Sequence, residues 1–188
     1  GTNEILSLFI AREALDRHLS IAGDVINPKA PIGKRLTTLV KAGFFYAWWY
    51  PKQWVSFCYW PFCSNLGKLG KHLRYVSRTS KKLARTTFHQ MVLNGPKLER
   101  RQMQLIRLVD IATDLFAMSA SIGRAHTMIK RDPKKYANAA DTVEIFCLEA
   151  RKRIRHNFRA LCCNSDNKSA RLSKKVLAGD LLWQEQND

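Results

Sequence analysis

Apolar residues recur at three- and four-residue steps along most of this chain, and the pattern predicts one amphipathic helix after another. The first covers residues 2–21, where Ile5, Leu8, Phe9, Leu15 and Leu19 form a stripe while Arg12, Glu13, Asp16 and Arg17 lie elsewhere on the wheel. Thr2 or Asn3 supplies a cap, and Glu4 stands in the first turn, where the helix dipole favours a carboxylate. Gly23 and the cluster Asn27-Pro28-Lys29-Ala30-Pro31 end that helix and open a loop. A second pattern covers residues 66–93, with Leu66, Leu69, Leu73, Val76, Leu83 and Met91 in line. Asn94-Gly95-Pro96 separates it from a third and longest pattern, Pro96 to Arg131, carried by Leu98, Leu105, Leu108, Ile111, Leu115, Met118, Ile122, Ala125 and Ile129. Asp132-Pro133 breaks the run. A fourth helix covers residues 134–161, with Val143, Phe146, Cys147, Ala150, Ile154, Phe158 and Leu161 inward, and a shorter one covers residues 168–182. Long amphipathic helices with short connections predict an all-α, antiparallel bundle.

Residues 43–63 depart from this pattern. The block holds four of the chain's five tryptophans, Trp48, Trp49, Trp54 and Trp60, together with Phe44 and Phe45. A membrane-crossing helix needs about 20 uninterrupted apolar residues. Pro51, Lys52 and Gln53 split this block into shorter halves. Rings with a polar edge suit the headgroup zone of a bilayer, so the segment reads as mostly irregular, interfacial or re-entrant. The other reading is that the rings fill a core.

Charge sharpens the picture. The net charge is +17, which implies an anionic counterpart: nucleic acid, acidic phospholipid or an acidic protein. No acidic residue lies between Asp24 and Glu99, while Lys71, Arg74, Arg78, Lys81, Lys82 and Arg85 crowd the second helix of the pattern. The five cysteines form no CxxC pair, and none of the five histidines pairs with them at zinc-like spacing, so no disulfide framework or metal site is expected.

Three runs carry a family resemblance. They are Gly1-Thr2-Asn3-Glu4-Ile5-Leu6-Ser7-Leu8-Phe9-Ile10-Ala11; the stretch from Gln104 through Leu108-Val109-Asp110-Ile111-Ala112-Thr113-Asp114-Leu115-Phe116-Ala117-Met118 to Gly123-Arg124-Ala125; and Cys147-Leu148-Glu149-Ala150-Arg151-Lys152-Arg153-Ile154-Arg155. In order and spacing they resemble the C-terminal part of the very-long-chain acyl-CoA dehydrogenases and of acyl-CoA dehydrogenase family member nine. The resemblance implies a division into the last helix of the flavin fold (1–22), a linker with the aromatic membrane-interacting segment (23–65), an extra helical bundle (66–183) and a tail (184–188). It implies FAD-dependent α,β-dehydrogenation of an acyl-CoA thioester in the parent protein, with electron-transfer flavoprotein as acceptor and a homodimeric assembly. The family's general base would be a glutamate immediately before Gly1, so no catalytic residue is assigned within the chain, and the chain alone is expected to be inactive. Gly1 would approach the thioester, and Thr2, Asn3 and Glu4 the FAD; a plain helix cap is the other reading of those three.

By the same resemblance the extra domain attaches the enzyme to an anionic membrane, the matrix face of the mitochondrial inner membrane or the cytoplasmic face of a bacterial one. Phe44, Phe45, Trp48, Trp49, Trp54 and Trp60 would enter the headgroup zone, and Lys71, Arg74, Arg78, Lys81, Lys82 and Arg85 would face anionic lipid. Two rivals stand beside this reading: an assembly or scaffold role in respiratory-complex biogenesis, and a basic nucleic-acid-binding module. The aromatic block is poor in basic residues and the basic helix poor in aromatics, which disfavours nucleic acid as a partner.

Overall fold

The computed structural model describes residues 2–26, 31–55 and 66–181. In chain order they form α1 (Thr2–Ile26), α2 (Ile32–Lys52), α3 (Gly70–Asn94), α4 (Gln102–Arg131), α5 (Ala139–Cys162) and α6 (Asp166–Leu177). Short 3-10 turns, Gly67–Leu69 and Gly95–Arg100, lead into α3 and α4. No strand occurs among the described residues, and the protein is all-α as its periodicity predicts.

The packing is organised by α4, which has two apolar seams. Ile111, Leu115, Met118, Ile122 and Ala125 repeat at alternating steps of four and three, so they stay on one side for the whole length of contact. They meet Cys147, Ala150, Ile154 and Leu161 of α5, with Val76 of α3 and Leu69 completing the cluster. Ala125 and Ala150 are nearly solvent-free and let the two backbones approach. Each fully buried Ile, Leu or Met here stabilises the fold by roughly 1.5–3 kcal/mol. The second seam, Leu105 and Val109, packs on Ala11 and Leu15 of α1, on Met91 of α3 and on Leu98.

The turns follow from local chemistry. Gly95 adopts φ +50° and ψ −135°, a region closed to side-chain-bearing residues, and its N–H bonds the Met91 carbonyl as α3 ends. Asp132 accepts the Lys135 N–H at 3.0 Å, starting the turn that delays α5 to Ala139 rather than residue 134. Across helices, Arg107 clasps Asp166 with two bonds of 2.6 and 2.7 Å, and Arg153 reaches Asp114 at 2.6 Å. Lys71 donates to Glu144 at 2.5 Å and Lys68 pairs with Asp141. The acid-free stretch thus draws its counter-charges from α5.

Two expectations change. The first helix runs through Gly23 to Ile26, because an interior glycine costs only about 1 kcal/mol and α2 braces this end. Arg35 donates to the Val25 carbonyl at 3.4 Å, and Thr38 to Asp24 at 3.5 Å. The aromatic block, expected to be mostly irregular, is helical as far as Lys52. Pro51 is tolerated because it stands in the last turn, where its missing N–H removes a single bond.

Candidate functional site

The face of α2 decides which aromatic residues are available to a partner. At about 100° per residue, Phe45, Tyr46, Trp49 and Tyr50 share one side of the helix and Leu36, Val40, Phe44 and Trp48 the other. The first side is half-buried. Tyr46 and His18 of α1 share a hydrogen bond of 2.9 Å, and Trp49 meets the His18 ring edge-on at 5.2 Å. Phe88 of α3 lies 4.6 Å from Tyr46 and 5.8 Å from Trp49, and Tyr50 bonds His89 at 3.0 Å. Burial pushes the Tyr46 hydroxyl above its usual pKa. This cluster joins α1, α2 and α3 and takes in Trp49, one of the rings expected to meet lipid, whereas half-buried Phe45 meets Tyr46 of its own helix. On this side of α2, Tyr46, Trp49 and Tyr50 pack against rings of neighbouring helices.

The opposite side is open. Phe44 is 77% exposed, Trp48 71% and Leu36 62%, and Val40 joins them. Lys34, Lys41 and Lys52 flank this face on one edge, and the Lys52 ammonium lies 4.2 Å from the Trp48 ring centroid. Trp54, just past the helix, is also exposed. Trp60 lies outside the described residues.

The basic set divides as well. Arg85 donates to the Gln53 carbonyl and stacks over Trp54 at 4.2 Å, and Lys81 donates to the Val55 carbonyl at 2.6 Å. Both hold the chain leaving α2 against α3. Lys82 lies over Phe158 at 4.2 Å, and Lys71 is paired with Glu144. Arg74 and Arg78 have no ion pair among the described residues.

At the other predicted site, Thr2 is exposed at the start of α1, with Ile5, Leu6, Phe9 and Ile10 exposed just beyond it. Gly1 and the side chains of Asn3 and Glu4 lie outside the described residues.

Sequence reasoning missed two buried polar groups. His72 is fully buried with neither ring nitrogen hydrogen-bonded among the described residues, and its Nε2 lies 4.0 Å from Glu144. Burial, then the charges of Arg151 and Lys71, hold its pKa below the usual value, against an opposing pull from Glu144. Gln104 is 7% exposed and its Oε1 has no partner among the described residues. Neither stood out because both occupy positions on otherwise apolar stripes. The adjacent cysteines gave no core signal either: Cys162 and Cys163 are exposed and Cys147 is buried.

With this arrangement in view, the comparisons are specific. The family model "ACAD9/ACADV, C-terminal domain" matches residues 68–183, the span from the turn before α3 to just beyond α6. The chain belongs to this family of acyl-CoA dehydrogenase C-terminal domains. Relatives described as "Probable acyl-CoA dehydrogenase FadE10", from Mycobacterium bovis and Mycobacterium tuberculosis, are 42% identical over 187 residues, which is 99% of this chain. The chain spans 29% of the length of those relatives. No solved structure matches it significantly.

Proposed function

We propose that this chain is the C-terminal part of an FAD-dependent acyl-CoA dehydrogenase and that its helical domain docks the enzyme on an anionic membrane. The family match and the relatives' printed description support the first half. FAD would accept the β hydrogen of the thioester as hydride. A carboxylate ahead of Gly1 would take the α proton, and Thr2, Asn3 and Glu4 would line the flavin side. Long-chain acyl-CoA is amphiphilic, so an enzyme resting on a bilayer meets its substrate where it partitions.

The observation that carries the second half is the outer face of α2, where exposed Leu36, Val40, Phe44 and Trp48 are flanked by Lys34, Lys41 and Lys52. An apolar strip bordered by lysines is the pattern of a helix lying in the interface plane. Among the described residues no helix is long and apolar enough to cross a membrane. Lysines and arginines near an anionic surface contribute about 1 kcal/mol each. Arg74 and Arg78 of α3 have neither an ion pair nor a ring contact among the described residues. The docking set is therefore narrower than the sequence implied: Phe44, Trp48 and Trp54 with the α2 lysines, rather than every ring and every base.

Co-sedimentation with vesicles tests this. The chain binds cardiolipin-containing vesicles, loses binding as salt rises, and ignores purely zwitterionic ones. The double variant Phe44→Ser, Trp48→Ser binds at least about tenfold more weakly, since two rings leave the interface. Equal sedimentation of variant and wild type would refute docking through α2.

A further inference from the structure

Among the described residues, α6 is the helix with no buried side chain: every residue from Asn167 to Ala178 is exposed. Its anchor is at its first residue, where Arg107 holds Asp166 with bonds of 2.6 and 2.7 Å. Isolated helices shorter than about 12–15 residues are marginal in water, and most helical stability in proteins comes from packing an apolar face. With 12 residues and no packed side, α6 needs something outside the described fold to cover it.

At about 100° per residue its two sides separate. Leu172, Val176 and Leu177 share one side with Ser169, Ala170 and Ser173, and Leu177 is 88% exposed. Lys168, Arg171, Lys174 and Lys175 share the other, without ion-pair partners among the described residues. The acid of the helix, Asp166, is neutralised by Arg107. Neighbouring α5 mixes both signs on its surface, with Lys152 bonded to Glu149 and Arg153 to Asp114. The basic side of α6 has no such balance, so its counterpart is anionic. A second copy of this chain, at +17, is repelled. The apolar strip is aliphatic and small, without the aromatic or arginine anchor that fills a protein partner's pocket. A strip of this kind beside a basic side suits a helix lying among lipid headgroups.

Position agrees with this. Tyr50, near the end of α2, bonds His89 of α3 at 3.0 Å. Leu93 and Asn94, a turn further along α3, line one cavity with Asp166 and Ala170. Helices α2 and α6 are thus both moored where α3 finishes. Once α2 rests on a bilayer, contact by α6 is an intramolecular step, and a weakly apolar helix suffices.

We propose that α6 is a second lipid contact, resting on the docking reading of α2, with Leu172, Val176 and Leu177 toward the acyl chains and its cations at anionic headgroups. Amide hydrogen exchange of the 188-residue chain, with and without cardiolipin-containing vesicles, tests it alongside co-sedimentation. The α6 amides exchange fast in solution and slow by at least about tenfold on vesicles. Lys174→Gln, Lys175→Gln weakens vesicle binding by about tenfold or more, since each cation near an anionic surface contributes roughly a fivefold factor. Lys134→Gln, Lys135→Gln makes the same charge change beyond the far end of α4 and alters binding by less than about twofold. All four lysines are exposed, so the variants keep the fold.

Binding that needs Phe44 and Trp48, with α6 unprotected and the Lys174 and Lys175 variant equal to wild type, overturns the role of α6 and leaves docking through α2 intact. Binding lost in that variant but kept in Phe44→Ser, Trp48→Ser supports α6 and refutes docking through α2. No vesicle binding overturns both. Equal losses in the two lysine pairs without protection of α6 overturn it too, as the response of a diffuse basic surface. So does protection of α6 before vesicles are added: growth with protein concentration assigns the strip to a second copy, and protection in a longer parent to the rest of that protein.

Discussion

The seam between α4 and α5 and the outer face of α2 are built from similar residues and end in opposite environments. Ile111, Met118, Cys147, Ala150 and Ile154 have no exposed surface. On α2 only Ala42 is buried, and the helix touches the rest of the described fold through its aromatic side. Both stretches are apolar and helical. The difference is that α5 returns antiparallel along α4, whereas nothing among the described residues covers Leu36, Val40, Phe44 and Trp48. Apolar content thus reports a need for burial, and topology decides whether the chain meets that need itself.

Several substitutions would break or sharpen this contrast. Ile154→Ala opens a cavity in the seam and costs about 2–5 kcal/mol in urea unfolding. Val40→Ala, chemically similar but on the open face, changes stability by less than about 0.5 kcal/mol. Equal costs at the two positions would mean that α2 is covered in solution. An intermediate effect is expected for Tyr46→Phe, which removes the bond to His18 and loosens α2 by about 1 kcal/mol, read as faster amide exchange confined to α1 and α2. Arg107→Ala frees the start of α6 at a cost of about 1 kcal/mol, kept small because the pair is partly exposed. The Arg107 guanidinium holds the Asp166 carboxyl below its usual range, so this contribution is present above the unfolded value of 3.8 and disappears as pH falls through the folded one.

The smallest effect is a pH dependence at His72, on α3 beside Glu144 of α5. His72 is buried neutral and its folded pKa lies below 6.5. Its contribution is complete above pH 6.5 and is lost as pH falls through the lower folded value, because the unfolded chain binds the proton more readily. Denaturant midpoints measured downward from neutral pH should decline in wild type and flatten in His72→Leu. A midpoint that rises on acidification would mean that Glu144, 4.0 Å away, outweighs burial and the charges of Arg151 and Lys71.

Periodicity made the bundle legible. The stripes through Ile111, Met118 and Ile154 fall on the seam, and Gly95 and Asp132 mark real ends. Helix α2 is hard to read from the sequence because Pro28 and Pro31 precede it, Pro51 stands in its last turn, and bulky rings fall on both of its sides. The four-residue step from Phe44 to Trp48, against the offset positions of Tyr46 and Trp49, carried the division into inner and outer sides. The candidate site was legible only in outline. A sequence shows which residues are basic, whereas the partners that engage Lys71, Lys81 and Arg85 are distant along the chain.

Those partners have an electrostatic consequence. A cation whose hydrogens already point at Glu144 or at the carbonyls of Gln53 and Val55 sheds few bound ions when an anionic surface approaches. Ionic-strength titrations of this domain would therefore report fewer effective contacts than its formal +17 implies, and the count would track the α2 lysines with Arg74, Arg78 and the cations of α6.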